Sequence, residues 1–170
     1  MINVEPISSG RHDQLEELQS DYVVALVPTE QIEWIWGSLR QHFEEAVERS
    51  HGRWTMGHLL KALLSQDHMA WVVYRKPETE SGPLDVVAAL TTQVVQYPGT
   101  SKLAIQFMGG TGFGEWAEQL QNTLISYGKD CGCSGIENCG RFGFWPQIKK
   151  LGYEREYAIY EIEFEENDHV

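Results

Sequence analysis

Apolar residues recur at three- and four-residue steps from Thr29 to Ser50. Ile32, Ile35, Trp36, Leu39 and Phe43 lie along one side, and Glu, Gln and Arg fill the other. A period near 3.6 places such positions on one helix face, so the spacing predicts one amphipathic helix with Thr29, after Pro28, as its N-cap. Just before it, the valine-rich run Tyr22 to Val27 ends at Pro28 and predicts a short buried strand, because β-branched residues and a following proline favour extended backbone. Thr55 opens a second helix, with Met56, Leu59, Leu60, Leu63 and Leu64 as its apolar face and a polar turn at Gln66, Asp67 and His68.

From Met69 the pattern changes to β-branched and aromatic runs. Ala70 to Tyr74 predicts a strand, Glu78 to Pro83 a turn, Asp85 to Gln96 a longer strand, Tyr97 to Ser101 a tight turn, and Leu103 to Phe107 a third strand. Together these three strands form an antiparallel meander. Gly109, Gly110, Thr111 and Gly112 follow at once, before a third helix marked by Trp116, Leu120, Leu124 and Tyr127 and ending near Gly128 to Gly132. The pattern closes with a short strand at Ser134 to Asn138, a short helix at Phe144 to Leu151 stopped by Gly152, and a long final strand at Tyr153 to Phe164. In that last strand Ala158, Tyr160, Ile162 and Phe164 alternate with Ile159, Glu161 and Glu163. The order describes one α/β (α+β) domain over residues 1–170, with a core from about 22 to 164 and a mixed, mainly antiparallel sheet flanked by helices.

Composition narrows the function classes. With 42% hydrophobic and 11% aromatic residues in 170, the chain has the core material of a folded domain, which excludes a disordered tail. Thirteen Lys and Arg stand against 25 Asp and Glu, a formal charge of -12 that repels phosphate backbones and anionic lipid, so neither nucleic acid nor a membrane is an expected partner. Met1 to Gly10 lacks a basic start and apolar run, and no stretch approaches the ~20 apolar residues of a membrane span, so a cytoplasmic setting is expected. Cys131, Cys133 and Cys139 have neither disulfide arithmetic nor zinc spacing; free thiols and no metal are expected, with Cys133 and Cys139 buried or half-buried.

Several segments carry a likeness to a known family: Leu103-Ala-Ile-Gln-Phe-Met-Gly-Gly, the Trp116 helix, Lys129-Asp-Cys-Gly-Cys, Ile136-Glu-Asn-Cys-Gly-Arg141 and Lys150-Leu-Gly-Tyr153. From about Tyr22 to Phe164 the chain resembles the GNAT family of acyl-CoA-dependent N-acetyltransferases, in the variant form of GNAT-like proteins encoded by tailed bacteriophages. The resemblance implies a GNAT-like domain whose fourth and fifth strands splay apart, here expected at Phe107 and Ile136. It also implies acetyl-CoA as cofactor, with its pyrophosphate on the loop that opens the third helix. That assigns Gln106, Phe107, Met108, Gly109, Gly110, Thr111 and Gly112 to cofactor binding. Free amides and the positive end of a helix dipole suit an anion, and glycines let the backbone come close. Gln106 and Gly109 match the family pattern, whereas Thr111 stands where Gly or Ala is usual. The alternative is a tight strand-to-helix turn capped by Thr111. No Lys or Arg lies between Lys102 and Lys129, and Glu115 in the first helical turn would itself use the dipole.

The family's closing pattern places an Asn and a proton-donating Tyr ahead of a Gly-Phe pair. Anchored on Gly152-Tyr153, those positions hold Arg141 and Ile148 here, and an aliphatic side chain gives no proton. Glu137 is the candidate base for the amine, against the plainer reading of a solvated strand-end carboxylate. Arg141 is the candidate clamp for a carboxylate or phosphate, against a structural ion pair. Two functions stay open. One is an acetyl-CoA-dependent N-acetyltransferase acting on a small amine or a lysine-bearing protein. The other is a catalytically degenerate GNAT scaffold that serves a phage as a virion, morphogenesis or host-interaction protein, in the bacterial host cytoplasm or the virion.

Overall fold

The computed structural model describes residues 20–77, 84–140, 142–162 and 164. The chain divides after Gly140 into a larger unit and a smaller C-terminal one.

The larger unit is built on a five-stranded sheet in the order β1-β2-β3-β4-β5, with β1 Tyr22–Leu26, β2 Met69–Arg75, β3 Asp85–Tyr97, β4 Thr100–Gly110 and β5 Ile136–Asn138. Neighbours are antiparallel except β4 and β5, which run parallel. Among the described residues of this unit the α-helices are α1 Ile32–Glu48, α2 Met56–Leu64 and α3 Phe113–Asp130. The α1 periodicity is realised as Ile32, Ile35, Leu39, Phe43 and Val47 buried along one face. Its start differs from the expectation: Thr29–Gln31 is a 3-10 turn, and no side chain caps either it or the helix. Thr55 caps α2 as expected, accepting the His58 N–H at 3.2 Å.

Alternation along the strands sorts the core into two layers. Ala25, Val27, Ala70, Val72, Ala89 and Phe107 face α1 and α2. Tyr22, Val24, Trp71, Val73, Leu90, Leu103 and Ile105 face Trp116, Leu120 and Leu124 of α3. Two register shifts bend the middle of the sheet. Val73 and Tyr74 pair with Ala88 and Val86, which leaves Val87 as an extra residue in β3. Thr91 and Thr92 pair with Phe107 and Ile105, which leaves Gln106 as an extra residue in β4.

The turn expected at Glu78 to Pro83 lies outside the described residues. β4 is longer than expected at both ends, so Met108, Gly109 and Gly110 are strand residues paired with Leu90, Ala89 and Ala88 rather than a loop. In the C-terminal unit, 3-10 turns at Phe142–Phe144 and Lys149–Leu151 flank the one-turn helix α4, Trp145–Ile148. Gly152 closes it with φ +86° in the left-handed region, and the Arg155 guanidinium stacks 4.5 Å from the Trp145 ring centroid. The long final strand is corrected: the described part of Tyr153 to Phe164 is not a strand, and Tyr157, Ile159, Tyr160, Ile162 and Phe164 are exposed. Alternation confers extended propensity, but a strand is made only by a ladder.

Candidate functional site

The parallel ladder between β4 and β5 has three rungs, Leu103 with Ile136, Ala104 with Glu137 and Ile105 with Asn138. Past Ile105, β4 continues from Gln106 to Gly110 with β3 on one side and no paired strand on the other among the described residues. Five residues of strand make an open edge about 16 Å long. The strands therefore part after Ile105 and Asn138; Ile136, expected at the divergence, is instead the first rung. The bulge at Gln106 sits at the parting point, where the extra residue turns the strand.

The open edge leads through Thr111 to the N-terminus of α3. Gly112 is the N-cap, with φ +72° and no side-chain cap. Thr111, the cap in the alternative reading, does not cap the helix: it gives its N–H to the Val87 carbonyl at 3.0 Å, while its own carbonyl accepts the Trp116 indole N–H at 2.8 Å. Glu115 does lie in the first turn, where its carboxylate accepts the Tyr22 hydroxyl from β1. That hydrogen bond, with burial, raises the Tyr22 phenol pKa above its ordinary value.

The glycines divide by what surrounds them. A Cβ on Gly109 would stand 1.8 Å from the His42 carbonyl oxygen of α1. One on Gly110, at φ +142°, would stand 2.4 Å from both the Val87 oxygen and the Ala88 Cβ. Both are glycines because protein backbone occupies the place of the side chain. Gly114, in the first turn of α3, has no packing neighbour within 4 Å of a Cβ built on it among the described residues.

The face toward α1 and α2 carries the other groups at the parting point. Phe107 is buried there, its N–H held by the Thr91 hydroxyl at 3.2 Å. Trp54, from the loop between α1 and α2, packs edge-on to Phe107 at 5.4 Å between centroids and against His68 at 5.2 Å. His68 is 3% exposed and its Nδ1 has no hydrogen-bond partner among the described residues. Burial pulls its pKa below the usual imidazole range, opposed by the Asp67 charge. Gln93, Ala104 and Glu137 form one row across β3, β4 and β5. Leu103, Ile105 and Ile136 face α3, so by alternation this row points to the opposite side, that of α1 and α2. Both oxygens of Glu137 receive the Tyr97 hydroxyl, at 2.9 and 3.2 Å.

Thus Gln106, Phe107, Met108, Gly109 and Gly110 are brought onto one strand edge, Thr111 and Gly112 join it to α3, and Glu137 stands on the neighbouring strand one rung before the parting. Arg141 lies outside the described residues, and Ile148 is in the C-terminal unit. Tyr97, Trp54 and His68 carried no sequence signal beyond their types, because a turn aromatic, a loop aromatic and a helix-end histidine acquire meaning only from their neighbours. Cys131, Cys133 and Cys139 are free thiols; Cys133 is half-buried, but Cys139, just past the end of β5, is exposed rather than covered as expected. Among the described residues no group of three or more His, Cys, Asp or Glu is placed to hold a metal, and no helix is long and apolar enough to cross a membrane.

No protein-family model and no curated protein matches the sequence. Solved structures do match. An aminoglycoside acetyltransferase from an uncultured soil metagenomic sample is 16% identical, with 84% of this chain and 98% of that one covered at a TM-score of 0.60. A GCN5-related N-acetyltransferase from Ralstonia eutropha JMP134 is 15% identical, with 83% and 97% covered at 0.57. Glucosamine-6-phosphate N-acetyltransferase from Arabidopsis thaliana is 12% identical, with 85% and 99% covered at 0.54. At these identities the likeness is one of fold, and the fold of this chain is that of the GNAT acetyltransferases.

Proposed function

We propose that the chain is an acetyl-CoA-dependent N-acetyltransferase with an amine acceptor. The observation that carries this reading is the open edge of β4 from Gln106 to Gly110 running into an α3 N-terminus that no side chain caps. An extended ligand with an anionic middle fits such a path, since strand amides and a helix start both present N–H donors. Acetyl-CoA, when bound, supplies an acyl group already activated as a thioester. Gly112 and Gly114 would hold the pyrophosphate with backbone N–H groups, whereas Gly109 and Gly110 serve the packing of α1 and β3. Glu137 would take the proton that the amine must lose. Ile148 offers no proton at the family's Tyr position, so turnover is expected to be slow, by about 10²- to 10⁴-fold relative to a site with a positioned acid.

Calorimetric titration with acetyl-CoA tests the reading. The wild type is expected to bind. Gly114→Leu, a change with open space around it, is expected to keep the melting temperature and to weaken binding by about tenfold or more, or 1.4 kcal/mol. Unchanged affinity in Gly114→Leu would place the pyrophosphate elsewhere. Ile148→Tyr is expected to raise turnover on polyamines and lysine peptides, and rapid wild-type turnover with no gain from the phenol would show that another group supplies the acid.

A second reading, a GNAT scaffold kept for structural or host-interaction work in a phage, is favoured by one specific observation. Two of the three glycines of the expected cofactor loop are consumed by packing, and the first turn of α3 already holds a carboxylate. No acetyl-CoA binding by the folded wild type would decide for it.

A further inference from the structure

The Tyr97 hydroxyl reaches Glu137 across an intervening strand. Tyr97 ends β3 and Glu137 is the middle residue of β5, with β4 between them. The bond runs diagonally over β4, from the row in which Tyr97 pairs with Thr100 to the row in which Glu137 pairs with Ala104, whose side chain ends at Cβ. A single phenol proton shared between both carboxylate oxygens, at 2.9 and 3.2 Å, orients the carboxylate and draws on a lone pair of each oxygen, out of roughly four acceptor positions. The others have no partner among the described residues, and Glu137 is only half-buried, with Tyr97 38% exposed. Among the described residues Lys102, which pairs with Val95, is a charged group on the same face. Its Nζ is turned to Gly135, 3.1 Å from where that residue's Cβ would be. An oriented carboxylate with free lone pairs complements an ammonium, which has three N–H donors and no acceptor, and the formal charge of -12 draws cations toward it.

We propose that Tyr97 is a positioning residue that orients Glu137 to receive the ammonium group of a cationic amine acceptor, a polyamine or a lysine side chain. The inference rests on the acetyltransferase reading for the fate of that amine, and its test is independent of turnover. Spermidine and a lysine-rich peptide are titrated calorimetrically into the wild type, Tyr97→Phe, Glu137→Gln and the double variant, with acetyl-CoA titrated in parallel and melting temperatures recorded. The expected result is amine binding by the wild type, about tenfold weaker in Tyr97→Phe, with no further loss when Tyr97→Phe is added to Glu137→Gln, because a residue acting only through its partner has no effect once the partner is removed. Acetyl-CoA affinity is expected to be the same in all four proteins. A bond that merely clamps β5 would lower the melting temperature and leave amine affinity unchanged, which would overturn the proposal. Absence of binding for both amines would overturn it too, as would an equal loss from Tyr97→Phe in the Glu137→Gln background. Failure of acetyl-CoA alone to bind would sink the acetyltransferase reading while the amine titrations still decide the role of Tyr97.

Discussion

Gly109 has no side chain because the His42 carbonyl of α1 stands where one would go. Gly109→Ala is therefore expected to push helix from strand and to cost about 1–3 kcal/mol or more, read as a fall in the urea midpoint with an unchanged slope. Gly110→Val meets backbone of β3 and is expected to unfold the protein, so it says nothing about a ligand, whereas Gly114 is open. In the sequence Gly109, Gly110 and Gly112 look alike, a cluster before a helix. What separates them is the approach of segments distant along the chain, His42 to one and Val87 to another, and residue spacing carries no trace of such contacts.

β4 shows how an element is decided partly by its neighbours. Its middle, Leu103 to Phe107, is legible from its apolar, extended-favouring residues. Its extension to Gly110 is produced by pairing with β3, which overrides the usual reading of a Gly-Gly pair as a loop. The bulge at Gln106 leaves the Phe107 N–H to the Thr91 hydroxyl instead of the ladder. Thr91→Val keeps the shape of a fully buried side chain and removes that acceptor, so it is expected to cost about 1–3 kcal/mol through an unsatisfied buried N–H, measured by urea unfolding. Helices were easier: the faces of α1, α2 and α3 follow from three- and four-residue spacing, since a helix satisfies its own backbone and needs only one apolar side to pack. The opposite case is Tyr153 to Phe164, where perfect alternation produced no strand in the described residues.

For the molecule as a whole, two imidazoles link stability to pH. Burial lowers the pKa of His68 and also that of His42, whose imidazole is hydrogen-bonded to the Val86 backbone. A histidine kept neutral by the fold takes up its proton more readily when unfolded, so its share of stability is full above the unfolded pKa of 6.5 and is lost as pH falls from there toward the lower folded value. The urea midpoint is expected to fall between about pH 7.5 and pH 5, and His68→Phe is expected to flatten part of that slope. An unchanged slope in the variant would assign the titration to other groups.

The sequence by itself determined α1, α2 and α3, the meander and the order of elements as far as Gly152, because these follow from local periodicity and from turns that few residues can make; its resemblance carried the GNAT-type α/β fold, and the final strand it predicted is not formed in the described residues. It also placed the chain among folded acidic proteins. Only the tertiary structure decided where β4 and β5 part, which glycines belong to packing and which stand open, and that Glu137 is held by Tyr97 from two strands away. Those facts depend on backbone approach and on side chains meeting across the sheet, and such contacts between distant segments are written in three dimensions rather than in the spacing of residues.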